Sequence, residues 1–173
     1  GHARRAGLLA RRRRRAGGAP PAEARREWEA ASALAAAGIP GPVPVALGER
    51  VRGGLEESVY ASEELRGFVQ IEALVPARIR AAASDPARVR ERRGLALAVA
   101  ELARRLHAAG FAHRDLYLTH VLVSEARLAE AAVGGPPLAV EDLRLIDLQR
   151  VFRPHALAGR WRVKDLAALA HST

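Results

Sequence analysis

Apolar residues first fall at helical spacing at Trp28, Ala31, Leu34 and Ala35, with the acids Glu23, Glu27 and Glu29 early in the stretch and Gly38 behind it. This predicts a short amphipathic helix over about residues 22–37, with acids near its positive end. Gly38-Ile39-Pro40-Gly41-Pro42 breaks it, and Val43, Val45 and Leu47 then alternate as a strand that should end near Gly48. With a turn at Gly53-Gly54 and a second strand from about Ser58 to Glu63, the stretch reads as an antiparallel hairpin. Leu65 to Pro76 is a mixed connector. Ser84 or Asp85, followed by Pro86, opens a long helix whose stripe Leu95, Val99, Leu102 and Leu106 runs towards Gly110, as a central core helix should. The apolar runs Val121 to Val123 and Leu143 to Ile146 predict paired strands around an insertion that holds Gly134-Gly135-Pro136-Pro137, and a last helix begins at Val163. No internal repeat or heptad seam is present.

A chain of 173 residues is one domain's worth. Apolar residues are 49% of it and aromatics 4%, so the core must be aliphatic and largely helical. The absence of cysteine excludes disulfides, zinc–thiolate sites and cysteine nucleophiles. The longest apolar stretch, Leu95 to Ala100, is far short of the roughly 20 residues that cross a bilayer, so the default expectation is a cytoplasmic protein. With no methionine and Gly1 first, the sequence is expected to be a piece of a longer chain.

The formal charge of +9 comes from arginine; Lys164 is the one lysine. Such a balance favours polyanions in general: nucleic acid, anionic lipid head groups or phosphorylated sugars. Residues 1–22, with arginine from Arg11 to Arg15, read as a solvated basic arm.

Candidate chemistry is concentrated in His113-Arg114-Asp115-Leu116-Tyr117-Leu118-Thr119-His120, between the long helix and a short strand. Phosphoryl transfer needs a carboxylate to orient or deprotonate the attacking hydroxyl, and ligands for the metal that neutralises phosphate oxygens. Asp115, after His113 and Arg114, suits the first role, and His120 stands where protein kinases place a metal-binding Asn. Asp147 ends the second apolar run, where a kinase puts its main magnesium carboxylate, but Leu148-Gln149 follows it instead of Phe-Gly. Taken alone, His120 could equally be a histidine bonded to backbone, and Glu27 a solvated first-turn acid.

The catalytic-loop segment, together with Leu145-Ile146-Asp147-Leu148-Gln149-Arg150, resembles the lipopolysaccharide kinase (Kdo/WaaP, InaA-like) family. Arg26-Glu27-Trp28-Glu29, Ala37-Gly38-Ile39-Pro40, Gly48-Glu49-Arg50 and Arg160-Trp161-Arg162-Val163-Lys164-Asp165-Leu166-Ala167 are also similar to it, so the likeness runs from about residue 22 to the end. The resemblance implies an α+β, protein-kinase-like fold with a partial N-terminal lobe over 23–66 and a partial helical C-terminal lobe over 67–173. It implies that Glu27 matches the glutamate that pairs with the phosphate-holding lysine, that Glu63, Glu64 and Leu65 match the adenine-holding hinge, and that Asp165 fixes the catalytic loop. It further implies ATP and Mg2+ as cofactors and a sugar hydroxyl, heptose or Kdo, of the lipopolysaccharide core or a lipid-A-linked acceptor as substrate. The place of action would be the inner membrane's cytoplasmic face, as a peripheral protein on its anionic surface.

A kinase of this fold also needs a glycine-rich loop and a lysine on its third strand, and neither precedes Glu27. The chain is therefore expected to start just after that strand, to stop early, and to be inactive or nearly so by itself. The alternatives are a pseudokinase or a polyanion-binding interaction module; nucleic-acid binding would explain the arginines and leave His113 to His120 without a role.

Overall fold

The structure is a computed structural model that describes residues 5–13, 23–52, 55–75, 85–156 and 158–172. Two small antiparallel sheets and five helices make up the described chain. The first sheet has the order β1-β3-β2, formed by β1 (Arg5–Arg13), β2 (Pro44–Arg52) and β3 (Leu55–Glu63). Helix α1 (Glu23–Ala36) packs on it through Ala24, Glu27, Ala30, Ala31 and Leu34. The predicted helix and hairpin are thus present, although β2 passes straight through Gly48 instead of ending there. The Gly53-Gly54 turn lies outside the described residues.

Residues 5–13 correct the expectation of a solvated arm: they run as a strand, with Leu8 opposite Tyr60 and Ala10 opposite Ser58. An unpaired β3 edge would present a row of backbone donors and acceptors, and the stretch Ala6 to Ala10 offers main chain to satisfy them. A strand therefore does stand ahead of the glutamate helix in sequence, and it carries no lysine. The rest of the predicted arm lies outside the described residues.

Gly38, at φ +69°, ends α1 in a left-handed turn in which Ile39 N–H donates to Leu34 C=O (2.9 Å). The chain then meets the second sheet, where Leu145 N–H donates to Pro40 C=O at 3.0 Å. A Cβ at Gly41 would come within 3.1 Å of Leu145 C=O, a close approach that glycine allows without any shift of the sheet.

The second sheet has the order β4-β5-β6, from β4 (Phe68–Gln70), β5 (Val121–Ser124) and β6 (Leu143–Leu145). β4 and the short α2 (Ile71–Leu74) occupy the predicted connector. The long helix α3 (Pro86–Ala108) starts as expected, with Asp85 as N-cap accepting from Ala87 N–H (2.9 Å). The insertion between β5 and β6 holds α4 (Glu125–Ala132), capped by Ser124, which its Gly/Pro content concealed. Helix α5 (Ala158–His171) begins earlier than Val163. Leu95, Leu102 and Leu106 of α3 join Leu116, Val121, Val123, Leu143, Leu145 and Leu148 in one aliphatic core, directly beneath the loop 111–120.

Candidate active site

Asp165, on α5, is wholly buried. Its carboxylate accepts His113 N–H and Arg114 N–H, both at 2.9 Å, and His107 Nε2–H at 3.0 Å. These bonds hold Arg114 at φ +74°, a conformation that non-glycine residues adopt only under constraint. The loop is thereby bent so that Asp115 turns away from the core.

His113 and Arg114, expected among the catalytic groups, serve this bend. His113 is buried, its Nε2 lies 3.1 Å from Ile146 C=O, and desolvation holds its pKa below the ordinary histidine value. A carbonyl only accepts, so Nε2 carries the proton and ties the loop to the residue before Asp147. The Arg114 guanidinium lies over Phe152 at 4.1 Å and beside Trp161 at 5.2 Å, rings that themselves meet edge to face. Neither side chain is placed to touch a reacting group.

Asp115 and Asp147 come together around His120. Imidazole Nδ1 of His120 lies 2.7 Å from Asp115 C=O, which places a proton on Nδ1 and sets Nε2 3.4 Å from Asp147 Oδ2. A neutral imidazole would meet this carboxylate through a bound cation, and a protonated one would meet it directly as an ion pair. A histidine that donates its other ring N–H to a carbonyl is also how proteins commonly prepare a metal ligand. The donor set thus fits a divalent cation with His120 and Asp147 as its protein ligands; no group of three such residues occurs among the described residues. Magnesium commonly takes one or two protein groups and completes its shell with phosphate and water.

Asp147 has φ +58°, and its Oδ1 accepts from Gln149 Nε2 at 3.0 Å. Leu148 N–H donates to Glu27 Oε1 at 2.9 Å, so the helix glutamate of the first sheet holds the residue after Asp147. Burial, with Asp147 adding to it, pushes the Glu27 carboxyl above its ordinary pKa, partly offset by the Leu148 bond. Nearby, burial pushes the Tyr60 hydroxyl above its ordinary pKa, with the Glu27 carboxylate adding to it and Ser62 partly offsetting it. Arg150, which composition could not single out, makes an ion pair with Asp115. Its signal was its place three residues after Asp147.

Glu63, Glu64 and Leu65, expected to form the hinge, end β3 and lead towards β4. Glu63 and Glu64 point their side chains to solvent, Glu64 pairs with Arg66, and Glu63 N–H is bound to Val43 C=O. Any hold on adenine there would fall to the main chain at 64–65. Two surface hollows, of about 330 Å³ between α3 and α4 and about 400 Å³ between α3 and α5, contain none of the expected catalytic, metal or hinge residues.

A glutamate helix on a small sheet, a catalytic loop pinned from a buried helix aspartate, and a strand-terminal aspartate in a left-handed turn define a protein-kinase-like fold. The chain belongs to the lipopolysaccharide kinase (Kdo/WaaP) family, whose model matches residues 4–173, further towards the N-terminus than the likeness read from the motifs. It is 35% identical over 156 residues to the lipopolysaccharide core heptose(I) kinase WaaP of Pseudomonas aeruginosa, covering 86% of this chain and 52% of that protein. An Escherichia coli protein of the same description is 32% identical over 153 residues, covering 87% and 53%. A solved structure, WaaP in complex with acyl carrier protein, superposes with a TM-score of 0.66 at 35% identity, covering 87% of this chain and 58% of that one. The chain thus spans about half the length of the curated relatives it matches.

Proposed function

We propose that the protein is an ATP-dependent, magnesium-requiring kinase that phosphorylates a sugar hydroxyl, a heptose or Kdo, of the lipopolysaccharide core. The observation that carries this reading is the single imidazole of His120, which spans from Asp115 C=O to the Asp147 carboxylate and gathers both aspartates at one place. Asp115 orients the acceptor hydroxyl and takes its proton as the oxygen attacks the terminal phosphorus. The metal, when bound at His120 and Asp147, supplies charge neutralisation for the phosphate oxygens. Glu27 keeps Asp147 in register through Leu148, and adenine lies against the main chain of residues 64–65.

We extend the proposal to location: a peripheral protein at the cytoplasmic face of the inner membrane. The support is the net charge of +9 and the exposed Arg90, Arg92 and Arg93 on α3, which suit an anionic surface. Among the described residues no helix is long and apolar enough to cross a membrane.

The test is phosphate transfer from labelled ATP to lipopolysaccharide core oligosaccharide by the gene's full product. Asp115→Asn should lower kcat by about 100- to 10,000-fold, the range that a positioned base contributes. Retained activity in that variant would remove Asp115 from the role of base, and a wild-type protein that binds nucleotide without transferring phosphate would favour the pseudokinase.

A further inference from the structure

We infer that Arg150 is a catalytic residue of this site, the cation that meets the transferred phosphate beside Asp115; the inference rests on the kinase reading above. Phosphoryl transfer puts negative charge on the equatorial oxygens next to the acceptor, and a fixed donor there is worth far more than in water. The loop itself supplies none: Leu116, Tyr117, Leu118 and Thr119 are uncharged. Arg114 is occupied by Phe152 and Trp161, and Lys164 lies 5.5 Å over the Trp161 ring. Among the described residues, the cation in contact with the Asp115 carboxylate is Arg150.

Its mounting suits that work. Arg150 closes the single 3-10 turn Leu148–Arg150 that starts directly after Asp147, and this turn is anchored by the fully buried Leu148 side chain and by the Leu148 bond to Glu27. The metal aspartate and the guanidinium are therefore carried by one rigid turn. The Arg150 side chain is 51% exposed, so part of its fork of N–H donors remains open to solvent while one nitrogen holds Asp115 Oδ2. An ion pair that exposed contributes at most about 1 kcal/mol to folding, so stability does not account for placing a cation there.

In the transfer, the acceptor O–H gives its proton to the Asp115 carboxylate, the new O–P bond forms, and the bond from the terminal phosphorus to the bridging oxygen breaks. Its electron pair leaves on the nucleoside diphosphate. Arg150 donates N–H to the non-bridging oxygens throughout and keeps its proton.

The experiment uses the full-length protein with Arg150→Ala and Arg150→Gln, each checked for an unchanged melting temperature. Both should lose about 100-fold or more in kcat, with the acceptor KM moving little. ADP affinity should stay at the wild-type value while the affinity for the β,γ-imido analogue of ATP falls, because only the analogue places a terminal phosphate beside Asp115. Added guanidinium ion should restore part of the rate to the alanine variant. Retained kcat, or equal losses of ADP and analogue affinity, would overturn the assignment. If the wild type transfers no phosphate to any core acceptor, the proposed function fails, and the ratio of analogue to ADP affinity still decides the role of Arg150.

Discussion

Asp165 offers the most severe single test of how the catalytic loop is held. Asp165→Ala removes the acceptor of two backbone N–H groups, from His113 and Arg114 at 2.9 Å each, and of His107 Nε2–H at 3.0 Å, in a place with no solvent access. A hydrogen bond to a charged partner is worth about 1.5–3 kcal/mol, so loss of the two backbone bonds alone should cost about 3–6 kcal/mol. Release of the Arg114 left-handed conformation returns roughly 1–2 kcal/mol of this. Since domains have only about 5–15 kcal/mol to lose, Asp165→Ala should leave the fold marginal. Asp165→Asn keeps the volume and one acceptor but turns an amide N–H2 towards another donor, and should cost roughly half as much. Urea unfolding followed by circular dichroism measures both, with a midpoint shift of about 1–3 M expected for alanine. A loss below about 1 kcal/mol, with the denaturant slope unchanged, would show that the loop's shape does not depend on this carboxylate.

Glu27 should show a separable pH signature. Its folded pKa is raised by burial, so its contribution to stability is fully present below the ordinary carboxylate value of 4.5 and is lost as pH rises through the higher folded value. Glu27→Gln keeps an acceptor for Leu148 N–H and should flatten that fall without destabilising the neutral protein; Glu27→Ala should cost about 1–3 kcal/mol by leaving that buried N–H bare. Thermal melts over a pH series check both, and a glutamine variant with the wild-type pH dependence would refute the attribution. His120→Ala should raise the magnesium concentration needed for half-maximal activity by more than the about 10- to 100-fold that loss of an outer partner costs, and an unchanged magnesium titration would exclude the imidazole as a ligand.

The elements that position the site were legible where one residue carries one physical meaning. Gly38 had to end α1, Asp85 with Pro86 had to start α3, and the loop between α3 and β5 was marked by charged residues set between apolar runs. What escaped was whatever depends on a partner far along the chain. Residues 5–13 look like a solvated basic run until β3 supplies an edge to pair with. In the same way α4 was hidden behind its Gly/Pro-rich exit, and β4 is too short to show a period. Among the candidate site residues, Asp115, His120 and Asp147, which the structure brings near one another, were singled out by type and order. The duties of His113 and Arg114 were not, because a motif places catalytic and structural side chains next to each other. Only the burial of one and the ring contacts of the other separate them from Asp115.

The structure uses one device twice. Glu27, on α1, and Asp165, on α5, are buried carboxyl groups that accept backbone N–H groups: Leu148 after Asp147, and His113 and Arg114 before Asp115. Each functional aspartate thus sits next to a peptide unit fixed by a carboxylate of its own, and both aspartates lie beside positive-φ residues or adopt that conformation themselves. A carboxylate bond to backbone holds position without regard to the side chain it carries. The side chains between the anchors that make no bond to either carboxylate, Tyr117 and Thr119, are then free to vary with the acceptor, whereas Gln149 holds Asp147 Oδ1. Variants at Tyr117 or Thr119 should therefore change acceptor choice or KM, and alanine variants at Glu27 or Asp165 should change stability and kcat together.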